Sequence, residues 1–283
     1  MRKRCRILWG MPPLCVFCQL NPGATKEHIY PKWVRKGIRA TGPTTITSPR
    51  GVRNVTGLTW ILRNSVCGEC NNGWMATRLE NKVKDYLLPA MRGWPVVLEP
   101  PMQQLIAAWA VKTALMFELK ALQDGDRGLA PVSNLRWLYQ HRDALIPPPG
   151  SQVWLAGVNA ELGTANSHVG WHGAGVVDTV IDTEFYLVTF SVGYLVFQVF
   201  GTDFGEADND AWTSTPRWSM VRADHLLEAI RLIWPARSEV VTWPPSLRLT
   251  IDDLSTLQKA DDAQLIRARH VPIRIFGNSE GSD

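Results

Sequence analysis

The sequence predicts an α+β protein in which a small cysteine-stapled unit precedes a larger unit of helices packed on an antiparallel sheet. Two observations predict this order. Cysteine pairs with the spacing C-x2-C occur twice within the first 92 of the 283 residues. After residue 100, a long apolar pattern with helical character is followed by apolar strand patterns. We therefore expect one domain over residues 1–92 and a second over residues 93–283.

Four of the five cysteines form the two pairs, Cys15 with Cys18 and Cys67 with Cys70. Two intervening residues let both thiolates of a tight turn face one tetrahedral ion, so two such turns predict a closed four-sulfur zinc site. Disulfides are the competing explanation, and a reducing cytoplasm disfavours them. We interpret the protein as cytoplasmic because its basic N-terminus has only a short, proline-broken apolar segment. No charge-free apolar run reaches the ~18 residues of a membrane span. Cys5 is expected to be a spare thiol.

The remaining elements of the first unit follow from its local patterns. Residues 40–58 are rich in Gly, Thr, Pro and Ser, which predicts a loop with short strand pieces. After Cys70, apolar residues recur at helical spacing from Met75 to Tyr86, so the sequence predicts a helix that Pro89 ends.

The second unit is predicted to begin with a buried helix over residues 102–123. In this helix Lys112 either extends its side chain to solvent or sits in a pocket, and we expect the first arrangement. The other predicted elements are a short helix over 133–143, a strand over 152–158, two strands around a Ser-Val-Gly turn within 184–201, and a helix near 223–234.

The charges divide the chain into a basic and an acidic part. Residues 1–92 hold 16 Lys and Arg against 4 Asp and Glu, an excess of 12 positive charges, whereas the remainder holds 14 against 22. A basic surface of that size suits a phosphate backbone, and a merely solvated basic surface is the alternative. The expected phosphate contacts are Lys32, Arg35, Lys36, Arg39, Arg50 and Arg53.

Glu27 and His28 stand side by side between the two cysteine pairs. Phosphodiester hydrolysis needs a base for the attacking water and a divalent cation that neutralises the phosphate. The imidazole of His28 suits such a base, while Glu27 and Asn71 offer the oxygen ligands that Mg²⁺ prefers. Because adjacent strand residues face opposite sides, Glu27 and His28 can share one site only at a strand end or bend. The alternative is that both are surface groups and that Asn71 only caps a helix.

The order C-x2-C, Glu-His, C-x2-C-Asn, with the stretches EHIYPKW and CNNGWM, resembles the zinc-containing HNH endonucleases of the ββα-metal superfamily. The layout is similar to that of phage junction-resolving endonucleases, and the resemblance covers roughly residues 12–80. It implies a small zinc-stapled ββα-metal domain with His28 as general base. It also implies a catalytic Mg²⁺ or Mn²⁺ held by Glu27 and by Asn71 or its neighbour Asn72. The structural Zn²⁺ would be held by Cys15, Cys18, Cys67 and Cys70.

The resemblance therefore implies a metal-dependent endonuclease acting on phosphodiester bonds in DNA, with RNA not excluded and with no membrane partner. Residues 93–283 would be an accessory α+β domain of unknown role and a candidate surface for homo-oligomer formation. Two alternatives stay open. One is a non-catalytic zinc-dependent nucleic-acid-binding protein, and the other is a ligand-sensing or interaction protein with a zinc scaffold.

Overall fold

The computed structural model describes most of the chain between residues 13 and 253, and in four strand stretches (43–48, 51–56, 167–177 and 180–184) it describes the backbone alone. The described residues are 13–38, 43–48, 51–56, 60–125, 128–159, 167–177, 180–203, 229–235, 239–250 and 252–253.

The chain combines helices with a mainly antiparallel sheet, which is an α+β fold. The helices are α1 Lys32–Gly37, α2 Cys70–Glu80, α3 Asn81–Met91, α4 Pro100–Gln123 and α5 Val132–Gln140. The first six strands are β1 Lys26–His28, β2 Pro43–Ser48, β3 Gly51–Thr56, β4 Ile61–Arg63, β5 Val96–Leu98 and β6 Gln152–Gly157. The last five are β7 Ser167–Val177, β8 Val180–Val192, β9 Leu195–Thr202, β10 Ile230–Trp234 and β11 Val241–Trp243.

The cysteine-containing part is built from a two-stranded sheet followed by a helix. Strands β1 and β4 pair antiparallel, with Glu27 opposite Leu62 and His28 opposite Ile61. The second cysteine pair then leads into α2, which is wound as a π-helix, has a break in its helical backbone at Gly73 and continues directly into α3. In this part of the chain, two paired strands are therefore followed by a helix, within the mixed helix and antiparallel-sheet fold that the sequence predicts.

A seven-stranded sheet forms the larger layer, in the order β10-β6-β9-β8-β7-β2-β3. All its pairs are antiparallel except β2 with β7. The hairpin of β2 and β3 comes from the predicted loop region at 40–58, so part of the first predicted unit adds two strands to the sheet of the second. A separate two-stranded sheet pairs β5 with β11.

The helix α4 lies at the centre of the core, and its residues 106–118 are all buried. A helix that is covered on every side is apolar all round, and residues 106–118 are apolar apart from Lys112, Thr113 and Glu118. One continuous hydrophobic cluster contains residues from both predicted units. Phe117 of α4, for example, packs edge-on against Tyr30 and Trp60, with ring centroids 5.5 and 4.7 Å apart. The division of the chain near residue 92 stays a prediction.

Two sequence expectations for the elements are wrong. Residues 230–234 form strand β10, not the end of a helix over 223–234, of which residues 223–228 lie outside the described residues. Ile230 and Ile233 pack in different core clusters, and a strand covered on both faces mimics helical spacing. Pro89 lies inside α3, which ends at Met91. Within the described part of the chain, no helix has the length and apolar character needed to cross a membrane.

Candidate functional site

Four cysteines from two distant segments meet in one buried cluster. The Sγ atoms of Cys15, Cys18, Cys67 and Cys70 all lie within 4.8 Å of one another, and none of the four forms a disulfide. Four convergent thiols with no open position are the ligand set of a structural zinc ion. The cluster could therefore hold zinc, as the cysteine spacing predicts.

Backbone hydrogen bonds join the two cysteine turns to each other. The amide of Val16 donates to the carbonyl of Ser65 at 2.9 Å, which fixes one turn beside the other. Gly23 lies against the same segment, where an added Cβ would be 2.8 Å from the carbonyl carbon of Ser65. This close approach requires glycine. In the second turn, the amide of Cys70 donates to Sγ of Cys67 at 3.4 Å.

The thiols interact directly. The pKa of Cys15 is lowered, chiefly because Cys70 donates a hydrogen bond to its sulfur, and the pKa of Cys70 is raised mainly by the same contact. Metal ligation requires deprotonated sulfur, so zinc binding would release the protons that these thiols carry.

The second cysteine turn also fixes the start of β1. The amide and the hydroxyl of Thr25 both donate to the carbonyl of Val66, at 3.0 and 2.7 Å. The amide of Asn64 donates to the carbonyl of Thr25 at 3.2 Å. Glu27 and His28 follow immediately, so the cysteine cluster determines where this pair is placed.

Asn71, the first residue after the second pair, reaches back to the same strand. Its Nδ2 donates to Oγ1 of Thr25 at 3.1 Å and to the carbonyl of Lys26 at 3.5 Å. The structure thus brings Asn71 next to the segment that carries Glu27, although its amide nitrogen is engaged with the residues just before Glu27. Asn72 is exposed.

His28 is the last residue of β1, at a strand end as a shared site with Glu27 requires. Its side chain is partly exposed. Burial lowers the pKa of His28, and the positive charges of Arg35 and Lys32 lower it further against the opposing effect of Glu80. A lowered pKa leaves the imidazole neutral at neutral pH, which is the form that can accept a proton.

Glu27 faces the interior, with only 5% of the residue exposed. Its Oε1 lies 3.8 Å from Nζ of Lys112 on α4. Burial raises the pKa of Glu27 to about 7, because the effect of desolvation exceeds the opposing attraction of the Lys112 charge, and Glu80 raises it further.

Lys112 and Glu80 are the site residues that sequence reasoning does not identify. Nζ of Lys112 lies 2.8 Å from Oε1 of Glu80 on α2, and Lys112 is fully buried. The expectation that its side chain extends to solvent is therefore wrong, and the pocket alternative is nearer to the structure. The signal in the sequence was a single lysine inside an otherwise apolar helix, since such a buried charge needs a partner. Nothing in the sequence indicates which carboxylate that partner is.

The predicted catalytic ion at Glu27 and Asn71 does not fit this geometry well. A divalent ion bonded to Oε1 of Glu27 at about 2 Å would lie within about 6 Å of the Lys112 ammonium. The Lys112 charge taken alone repels such an ion by on the order of 5 kcal/mol at an effective dielectric constant of about 20, which opposes the attraction of Glu27 and Glu80. Among the described residues, only the four cysteines form a cluster of three or more His, Cys, Asp or Glu side chains close enough to share a metal ion.

The predicted phosphate contacts are only partly described. Lys32 and Lys36 are exposed on α1, and Arg35 is partly exposed between them. The charges of Lys32 and Arg35 act on His28, so α1 adds positive potential beside the imidazole. Arg53 lies on β3, where only the backbone is described, and Arg39 and Arg50 lie outside the described residues.

A cavity of about 320 Å³ adjoins the cysteine cluster on the α2 side. Its lining includes Cys18, Cys70, Trp74, Arg78 and Arg142. Arg78 pairs with Asp143, and the guanidinium of Arg142 lies 4.2 Å from the ring centroid of Tyr139. Both arginines therefore already have partners within the protein.

Comparison with protein-family models, with curated proteins and with solved structures finds no match. The resemblance to HNH endonucleases therefore depends on this chain's own residues and on where the structure places them.

Proposed function

We propose that the protein is an endonuclease of the HNH type that hydrolyses phosphodiester bonds in DNA, with His28 as the general base. The observation that carries the proposal is the ββα unit around the cysteine cluster. It places His28 at the end of β1 and connects Asn71, at the start of α2, to the same strand through Thr25. A neutral imidazole at this position can take a proton from an attacking water.

The neighbouring residues contribute in different ways. Lys32 and Arg35 on α1 provide positive charge near His28, which would hold the phosphate and favour the unprotonated imidazole. The cysteine cluster and a bound zinc ion would position β1 against α2 and would take no part in the chemistry, because four sulfur ligands leave no coordination position for substrate.

Cleavage of supercoiled plasmid DNA tests this proposal. Zinc-loaded protein is incubated with plasmid in the presence of Mg²⁺, of Mn²⁺, or of neither, beside His28→Ala and the matched control His141→Ala. His141 directly follows α5 and stacks on Trp137 of that helix. Nicking by the wild type and the control, lost in His28→Ala with zinc content unchanged, supports the proposal. Equal nicking by wild type and His28→Ala contradicts it.

A second candidate function is non-catalytic binding of nucleic acid. The ion pair between Glu27 and Lys112 favours it, because a carboxylate that neutralises a buried lysine has a structural role without any chemistry. Salt-sensitive DNA binding in a gel-shift assay, without nicking under any metal condition, would support this candidate. Each lost phosphate contact reduces the slope of log K against log salt by about 0.9, so Lys32→Ala and Lys36→Ala should each flatten it.

A further inference from the structure

Three charged side chains from three different elements meet beneath His28. Lys112 comes from α4, Glu80 from the end of α2 and Glu27 from β1. The ammonium Nζ of Lys112 lies 2.8 Å from Oε1 of Glu80 and 3.8 Å from Oε1 of Glu27. The positive charge thus lies within contact distance of both carboxylates.

The group is largely shielded from solvent, with Glu80 the most exposed of its three members. The side chain of Lys112 is 0% exposed, and those of Glu27 and Glu80 are 6% and 12% exposed. Ions are costly to bury unless they are paired, and here each charge has an opposite charge beside it. A hydrated divalent ion would have to lose its water and approach a fixed ammonium to reach Glu27, and Mg²⁺ dehydrates reluctantly.

The electrostatic effects agree with this placement. Glu80 acts on Glu27, on His28 and on Lys112, so the four groups form one interacting set. The charged groups that face Glu27 within the described residues are Lys112 and Glu80. Lys112 lies in the middle of α4 and Glu80 at the end of α2, and removing either would leave the charge of the other without its partner.

We infer that the ammonium of Lys112, and not a divalent metal ion, is the cation that Glu27 and Glu80 hold. Lys112 is then a positioning residue that keeps Glu27 fixed behind His28 and joins α4 to the candidate site. The inference departs from the Mg²⁺ or Mn²⁺ site that the family resemblance implies. It concerns only which cation lies beside Glu27, and it can therefore be tested separately from whether the protein cleaves DNA.

Titration of the zinc-loaded protein with Mn²⁺ at pH 8, with free Mn²⁺ followed by electron paramagnetic resonance, tests the inference. Wild type and Glu27→Gln are expected to give the same binding curve, because Glu27 takes no part in Mn²⁺ binding. Lys112→Met leaves two carboxylates without their cation. It should bind Mn²⁺ at least about tenfold more tightly than the wild type, and Glu27→Gln in that background should remove the gain.

Two further variants control for fold and location. Lys120→Met removes a lysine that pairs with Asp124 near the end of the same helix, and it should leave the curve unchanged. If Lys112→Met alone does not fold, the double variant Lys112→Met with Glu80→Gln removes both members of the closer ion pair. Mn²⁺ binding by Glu27 is then tested in that double variant. One Mn²⁺ ion bound by the wild type and lost in Glu27→Gln would overturn the inference. Failure of the plasmid assay would overturn the proposed nuclease function only.

Discussion

Nδ2 of Asn71 lies 3.1 Å from Oγ1 of Thr25, so the residue that follows the second cysteine pair is hydrogen-bonded to the segment leading into Glu27 and His28. Asn71→Ala should therefore lower the free energy of unfolding by about 1 kcal/mol, measured by urea denaturation of the zinc-loaded protein. Asn72→Ala is the matched control, since Asn72 is exposed, and it should lower the free energy of unfolding clearly less than Asn71→Ala does. Equal losses in the two variants would show that the Asn71 contact contributes nothing.

Zinc content should depend on the cysteine cluster alone. Cys67→Ala removes one of four ligands, so the purified protein is expected to lose its single zinc ion and most of its folded structure, because structural zinc supplies folding free energy directly. Elemental analysis and far-ultraviolet circular dichroism measure the two effects. Cys5→Ser changes the cysteine that stands outside both pairs and should keep the zinc. Full zinc occupancy in Cys67→Ala would contradict the assignment.

The charged group around Lys112 should be visible in stability measurements. Lys112→Met leaves Glu80 and Glu27 buried without their cation, so the free energy of unfolding should fall by about 3 to 5 kcal/mol. The free energy of unfolding should fall much less in the double variant Lys112→Met with Glu80→Gln, because this variant removes both members of the closer ion pair. Lys120→Met on the same helix should change little, since that side chain is 25% exposed. Additive losses in the double variant would contradict the pairing.

The raised pKa of Glu27 predicts a specific pH dependence of stability. The folded state holds the proton up to a pKa of about 7, whereas the unfolded carboxyl releases it near its ordinary value of 4.5. Between these values the folded state binds more protons, so stability falls as pH rises from about 4.5 to about 7. The fall attributable to Glu27 is about 3 kcal/mol.

Denaturation midpoints across this pH range check the prediction in wild type and Glu27→Gln. Glu27→Gln should lack the decrease in stability between pH 4.5 and 7. Glu69→Gln changes an exposed glutamate in the second cysteine turn and should show the same decrease as the wild type. A wild-type profile that is flat between pH 4.5 and 7 would show that the Glu27 carboxyl is not perturbed in the folded protein.

The parts of the site that depend on local spacing could be predicted from the sequence. Two residues between paired cysteines are enough to indicate a shared ligand cluster, and Cys67 and Cys70 indeed meet Cys15 and Cys18. His28 lies at a strand end, which is the condition that a site shared with Glu27 requires. The long apolar helix was also expected, and α4 covers Pro100–Gln123.

Features that depend on distant partners could not be predicted. The apolar positions of 230–234 fit a helix as well as a strand buried on both faces, and only pairing with β6 decides between them. Residues 40–58 are predicted as a loop with short strand pieces, and no local pattern indicates that two of these pieces pair as β2 and β3 or that β2 lies beside β7. The pairing of Lys112 with Glu80 joins residues 32 positions apart, and no local pattern specifies it.

Chemical rescue of a His28 variant tests the central claim most directly. His28→Gly removes the imidazole from the end of β1, and added imidazole can then serve as the base in solution. With plasmid DNA as substrate, we predict that His28→Gly does not nick it alone and regains nicking as imidazole is added, with the zinc content unchanged. Undiminished nicking by His28→Gly without imidazole would contradict the role of His28 as general base.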